Sequence, residues 1–163
     1  MNSCLRSLRI TPRAPNQRAP ALALLLALAF AFFAGAAHAH KPSDSYLTLN
    51  ADGERIAGRW DIAVRDLEYA IGVDGNNDAN VTWGELRAQA NAIAAYALAR
   101  LQVARGQSAC PLSVSDQQID RHSDGAYVVL HLGGHCAATG TLAVRYALFF
   151  DIDPQHKGLA RVR

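Results

Sequence analysis

Residues 74–85 read Asp-Gly-Asn-Asn-Asp-Ala-Asn-Val-Thr-Trp-Gly-Glu, and this polar stretch separates two segments with helical patterns. An apolar residue, Val81, stands at its eighth position and predicts an anchor into a core. If the stretch is counted as a twelve-residue loop, side chains that carry oxygen recur at its positions 1, 3, 5, 9 and 12. These are Asp74, Asn76, Asp78, Thr82 and Glu85.

This spacing resembles the calcium loop of an EF-hand. Ca²⁺ takes about six to eight oxygen ligands, which a short loop supplies from alternate residues and from the backbone. The carboxylate at position 12 closes the far side of such a site with two oxygens. The stretch therefore predicts a calcium site. Its predicted ligands are Asp74, Asn76, Asp78, the carbonyl group of Asn80, and Glu85.

Position 6 departs from the pattern, because Ala79 stands where glycine usually provides a positive φ. A residue with a Cβ atom pays about 1–2 kcal/mol in that region, which corresponds to roughly tenfold weaker binding. We therefore expect a weak site, in the range of about 10⁻⁴–10⁻³ M seen for extracellular modules. The alternative interpretation is a polar turn between two helices that binds no metal.

The flanks of the loop predict helices. Asp66 has the character of an N-cap for a short entering helix. Thr82 and Glu85 have capping-box spacing at the start of a longer helix, with Gly106 as its stop. Apolar residues then recur at helical spacing, which places the helix–loop–helix unit at about residues 65–105: Leu86, Ala90, Ile93, Ala97 and Leu101.

The remaining segments predict strands. Residues 46–50 and 55–64 alternate around an Asp52-Gly53 turn, which indicates a hairpin. Alternation or β-branched runs return near Leu112 and Val114, in residues 126–132 and in residues 141–150. The fold class that this order predicts is α+β, with a small antiparallel β-sheet or sandwich that carries the inserted helix–loop–helix.

A second acidic stretch, residues 120–125, has Asp at relative positions 1 and 5 and Gly at position 6. Its twelfth position would be His131 rather than an acid, so we interpret the stretch as a Ser-Asp-Gly hairpin turn. Similarly, Asp151 and Asp153 precede Pro154 and are typical of a turn at the end of a strand.

We find no nucleophile, phosphate-loop or metalloprotease motif and predict that the protein is not an enzyme.

Residues 1–39 have the pattern of a signal peptide: a basic start, an apolar run at residues 21–36 and an Ala-His-Ala cleavage site. The alternative is an uncleaved membrane anchor. We expect an exported domain of residues 40–163, in the periplasm or outside the cell, or associated with a membrane if the leader is retained. Loss of the four leader arginines changes the formal charge from +2 to −2, and no basic patch suggests nucleic acid.

Cys110 and Cys136 form an even pair in an exported chain, which predicts a disulfide. The alternative is a soft-metal pair assisted by His135.

Cleavage of the signal peptide would expose the amine and the imidazole of His40. Together with His131, these nitrogens would suit copper or nickel. The alternative interpretations are a partly buried structural role for His131 and an ordinary chain terminus for His40.

Four stretches together resemble the exported N-terminal region of HupE/UreJ-type membrane proteins: residues 40–47, 59–68, 94–101 and 148–156. The resemblance implies a role in nickel or metal handling and a membrane-protein partner. In that family a membrane domain of several helices follows, whereas no apolar span follows the leader here. The alternative to a calcium module is therefore the exported portion of such a protein without its membrane domain. No small-molecule substrate is evident.

Overall fold

The computed structural model describes residues 44–137 and 139–163, all of which belong to one compact unit, Lys41–Arg163. The predicted signal peptide and His40 lie outside the described residues, so the leader and the terminal copper or nickel site stay predictions.

The described chain contains eight strands and three helices. Two β-hairpins and a short helical segment account for most of it. The strands are β1 Asp44–Asp52, β2 Arg55–Ala63, β3 Leu101–Arg105, β4 Ser108–Ala109, β5 Leu112–His122, β6 Gly125–His135, β7 Leu142–Tyr146 and β8 Lys157–Val162. The helices are α1 Val64–Ile71, α2 Trp83–Ala88 and α3 Ala90–Leu98.

None of these three described helices is both long enough and apolar enough to cross a membrane.

The strands form two sheets. The larger has the order β5-β6-β2-β1-β8, and the smaller has the order β4-β3-β7. Both predicted hairpins are present: β1 pairs with β2 around Gly53, and β5 pairs with β6 around Ser123 and Asp124. The prediction of a mixed fold of helices and strands is confirmed. The predicted antiparallel pairing needs one correction among the described strands, because β8 pairs with β1 in parallel.

One hydrophobic cluster joins both sheets and all three helices. Alternation along β2 buries Ile56, Trp60 and Ile62 on one face, as expected for strands packed on one side. The same cluster contains Leu67 from α1, Leu86 from α2, Ile93 and Ala97 from α3, and Leu101 and Val103 from β3.

The long exiting helix predicted through Leu101 is wrong. The helical segment breaks at Gln89 and ends at Leu98, and residues 101–105 form β3. Leu101 and Val103 are buried with the alternation of a strand, and β3 pairs with β7 along its whole length. Tertiary pairing therefore overrides the helical pattern of this segment. Gly106, predicted as a helix stop, instead lies in the β3–β4 turn with φ 58°.

The N-cap prediction for α1 also needs correction. The cap position is Ala63, which provides no side-chain hydrogen bond, and Asp66 lies inside the first turn and is buried. The helix starts earlier than predicted because β2 continues directly into it without a loop. An acid in the first turn still suits the positive end of the helix dipole.

A partly buried polar contact links the two sheets. Tyr146 on β7 hydrogen-bonds through its hydroxyl to Ser45 on β1, and His156 Nε2 lies 2.7 Å from the same hydroxyl. The Trp60 ring packs edge-on against Tyr146, with ring centroids 5.7 Å apart. Burial raises the pKa of Tyr146 to about 12, so its hydroxyl stays protonated at physiological pH. Gly158 leaves the room that the Tyr146 ring needs, since a Cβ atom there would collide with it.

The predicted disulfide is present between Cys110 and Cys136. Cys110 precedes β5 and Cys136 follows β6, so the bridge closes the open end of this hairpin. Both cysteines are buried members of the core. The soft-metal alternative fails because both sulfur atoms are already bonded. A buried disulfide is typical of proteins that fold in an oxidising compartment.

We predict that the double substitution Cys110→Ser and Cys136→Ser lowers the free energy of unfolding by about 3 kcal/mol, because the bridge closes a long loop in the unfolded chain. Urea denaturation of the oxidised protein measures the change. The unchanged protein unfolded in the presence of a reductant is the matched control and should show the same lowered midpoint as the double variant. An unchanged midpoint in the double variant would show that the bridge does not contribute to stability.

Candidate functional site

The loop that the sequence singled out lies between α1 and α2, and each end is fixed to the body of the domain. Gly72 caps the end of α1 with a φ of 62°, and its N–H donates to the carbonyl oxygen of Glu68 at 2.9 Å. Val73 is then fully buried. At the other end, Thr82 caps α2. Residues 74–81 are thus held between two fixed points.

Asp74, at position 1, organises the first half of the loop. Its Oδ1 accepts a hydrogen bond from the Asp78 N–H at 3.3 Å, and its Oδ2 accepts one from the Ala79 N–H at 2.8 Å. The side chain is largely buried. One carboxylate therefore curls the backbone of positions 5 and 6 towards position 1.

Asn76 and Asp78 continue this pattern. The Asn76 Oδ1 accepts from the Asp78 N–H at 2.9 Å, and its Nδ2 donates to the Asp78 Oδ2 at 3.0 Å. The Asp78 Oδ1 accepts from the Asn80 N–H at 2.8 Å. Short polar side chains bond to the backbone two residues on, as in Asx turns. The loop therefore owes its shape to the residues that were predicted to bind metal.

Glu85, at position 12, connects the two ends of the loop. Its Oε2 accepts from the N–H and the hydroxyl of Thr82, each at 2.8 Å, which confirms the predicted capping box. Its Oε1 accepts from the N–H groups of Gly75 at 3.1 Å and Asn76 at 3.3 Å. The Thr82 backbone and hydroxyl, followed by these two amides, lower the pKa of Glu85 below its ordinary value. The side chain therefore stays ionised.

Four donors occupy Glu85, and a carboxylate has about four lone-pair sites. Coordination of a cation by both of its oxygens therefore requires the side chain to release some of these donors. Moreover, the carboxylates of Asp74, Asp78 and Glu85 do not form a group with all ligand oxygens within 4.8 Å. The loop has the required residues in order, but it would have to contract around an ion.

No described basic side chain forms an ion pair with Asp74, Asp78 or Glu85. Some acids elsewhere in the domain do have a basic partner, as in the 2.8 Å ion pair between Arg100 and Asp151. Within the described part of the chain, the loop is thus a local excess of negative charge held by backbone amides.

Two loop residues other than glycine have positive φ: Asn77 at 58° and Ala79 at 63°. Asparagine tolerates this region, whereas alanine pays for its Cβ atom there. The sequence therefore located the strained position correctly, and the turn at position 6 forms despite the missing glycine.

Sequence reasoning missed a second charged cluster, which lies on the larger sheet. Oxygens of Asp61 and Asp120 and a nitrogen of His122 lie within 4.8 Å of one another. The guanidinium of Arg59 already neutralises this group, with Nε 2.7 Å from Asp61 Oδ1 and Nη2 2.6 Å from Asp120 Oδ2. Hydrogen bonds to the two carboxylates raise the pKa of Arg59. The Arg59 guanidinium in turn lowers the pKa of Asp120 below its ordinary value. The alternation of side chains along β2 places Arg59 and Asp61 on one face of the strand. Only the order of the strands in the sheet shows that Asp120 and His122 on β5 lie beside them.

The other histidines form no second metal centre among the described residues. His135 lies beside Glu54, with its Nε2 3.0 Å from a carboxylate oxygen. His131 lies on β6 and is not part of the cluster around Asp61.

A cleft of about 370 Å³ opens beside the loop. Its walls are residues 63–65 at the start of α1, Glu68 in the last turn of α1, residues 79–81 of the loop and residues 124–127 at the β5–β6 turn. Its volume falls within the range of roughly 300–1,000 Å³ that is usual for ligand pockets. The cleft and the loop therefore share a wall.

No protein-family model matches the chain, and no curated protein sequence matches it significantly. These comparisons do not bear on the resemblance to HupE/UreJ-type proteins or to EF-hands, and both stay predictions.

We predict that Ala79→Gly raises the free energy of unfolding by about 1 kcal/mol, because glycine removes the strain at φ 63°. Chemical denaturation without added metal measures the change. Ala95→Gly, on the exposed face of α3, is the matched control and should destabilise by about 1 kcal/mol. Equal losses in both variants would contradict the assigned strain.

We predict that Arg59→Ala lowers the free energy of unfolding by about 1–2 kcal/mol, because it removes a direct ion pair from the nearly buried Asp61. The loss stays modest because the Arg59 side chain is 45% exposed and solvent screens its charge. Arg121→Ala, at an exposed position on β5, should change stability by less than about 0.5 kcal/mol. Equal midpoints in thermal unfolding of the two variants would show that the cluster is not stabilising.

Proposed function

We propose that the protein is an exported calcium-binding module that takes one Ca²⁺ in residues 74–85. The observation that carries the proposal is that oxygen-bearing residues occupy loop positions 1, 3, 5, 7 and 12 while the backbone curls around the carboxylate of position 1. Calcium takes about six to eight oxygen ligands and accepts a flexible coordination geometry. The ligand set is Asp74, Asn76, Asp78, the carbonyl group of Asn80, and Glu85.

The short helices α1 and α2 precede and follow the loop in the chain. They support this proposal, because a calcium loop of the EF-hand type also lies between two helices. The lack of a basic partner for the three loop carboxylates among the described residues also supports it. A divalent cation would offset their mutual repulsion. The affinity should be low, since Glu85 must exchange hydrogen bonds for the ion and Ala79 keeps the turn strained.

What calcium would do follows from the position of the loop. Residues 79–81 form a wall of the cleft, and Thr82 starts α2. An ion that contracts the loop would therefore order this wall and the start of α2. The proposed role is calcium-dependent ordering of one edge of the domain rather than chemistry on a substrate.

A second candidate function is the exported portion of a HupE/UreJ-type metal-handling membrane protein. The disulfide supports the export that this candidate requires, because disulfides persist in oxidising compartments. The two functions differ in the metal: this candidate would bind nickel or copper through histidine nitrogens. It also provides a membrane-protein partner, which the calcium module does not require.

We predict that calorimetric titration of the full-length protein with calcium shows saturable binding at one site, with a dissociation constant of about 10⁻⁴–10⁻³ M. Glu85→Gln should abolish it, because the amide provides only one oxygen where two are needed. Glu54→Gln removes the same charge in the β1–β2 turn and is the matched control, with unchanged binding expected.

Calcium binding that survives in Glu85→Gln would show that the ion is not bound in this loop. Absence of heat in the unchanged protein, combined with saturable nickel or copper binding, would favour the second candidate.

A further inference from the structure

Glu68 lies outside the twelve-residue loop, yet its side chain reaches the first residue of the loop. It is in the last turn of α1, where the helix dipole is negative and an acid is disfavoured. No basic residue accompanies it in that turn. A carboxylate at this end of a helix therefore needs a local compensation.

The compensation that the structure shows is a hydrogen bond to the loop. The Asp74 N–H donates to the Glu68 Oε2 at 2.6 Å, while the Glu68 carbonyl oxygen accepts from the Gly72 N–H at 2.9 Å. One residue thus binds the chain twice as it leaves α1. Val73, between these two contacts, is fully buried, so the backbone of Asp74 has little freedom.

The position of Asp74 decides the shape of the loop beyond it. Its two carboxylate oxygens accept from the N–H groups of Asp78 and Ala79. A shift of the Asp74 backbone would therefore displace positions 5 and 6 as well as position 1. Glu68 also lines the cleft beside residues 79–81, which places it along the inner side of the loop.

We infer that Glu68 is a positioning residue of the calcium site: through the Asp74 N–H it holds position 1 of the loop where the ion needs its carboxylate. This inference rests on the proposed calcium function. Glu68 is not assigned as a ligand. It acts through Asp74, and its charge adds a smaller, longer-range attraction for a cation.

The two parts of this role are separable by substitution. Glu68→Gln keeps an oxygen that accepts the Asp74 N–H but removes the charge, whereas Glu68→Ala removes both. If positioning dominates, the dissociation constant for calcium rises about tenfold in Glu68→Ala and only about twofold to threefold in Glu68→Gln. Calorimetric titration of the full-length variants with calcium chloride measures both values, with Glu54→Gln as the control of equal charge.

The Asp74 amide proton provides a second readout, which a general loss of stability would not move. In NMR spectra without calcium, this proton should shift upfield in Glu68→Ala, where its acceptor is lost, and stay near its place in Glu68→Gln. Equal loss of affinity in both variants would contradict the positioning role and would attribute the effect of Glu68 to its charge alone. Unchanged affinity in both, beside normal binding in the unchanged protein, would overturn the inference while calcium binding stands. No binding in the unchanged protein would overturn the calcium proposal and this inference together.

Discussion

The carboxylate of Glu85 holds the two ends of the loop together, and the geometry of the candidate site depends on it. One of its oxygens accepts from Thr82 at the start of α2, and the other accepts from Gly75 and Asn76 near the end of α1. Because the loop is short and polar, it has no core of its own to fix its shape. Hydrogen bonds from its own acids to its own amides take that role.

The same carboxylates that shape the loop are the ones that a calcium ion would use. This double use explains how the chain can keep three acids together without a basic partner among the described residues. It also sets a limit on affinity, since each oxygen that turns to an ion gives up amide donors. The proposed calcium site would therefore respond to high calcium concentrations, such as those outside a cell, better than to trace amounts.

The sequence predicted the hairpins, the disulfide and the capping box, because each depends on residues close in sequence or on a single pair of cysteines. Val81 and Ala79 were also correctly located, as a partly buried anchor and a strained turn. The end of the helix was not predictable from alanine-rich spacing, since Leu101 and Val103 pair with a strand some forty residues later. The parallel pairing of β8 and the Arg59–Asp61–Asp120 cluster were not predictable for the same reason. Both depend on the order of the strands in the sheet, which no local sequence pattern contains.

A calcium titration followed by ¹H–¹⁵N NMR is the most direct test of the proposed site, because it locates the ion as well as detecting it. If calcium binds in residues 74–85, the amides that contact the loop carboxylates, above all Gly75, Asn76 and Ala79, show saturable shifts, while those of β2 and β5 stay unchanged. Shifts centred on Asp61 and His122, or none that saturate, would contradict the proposal.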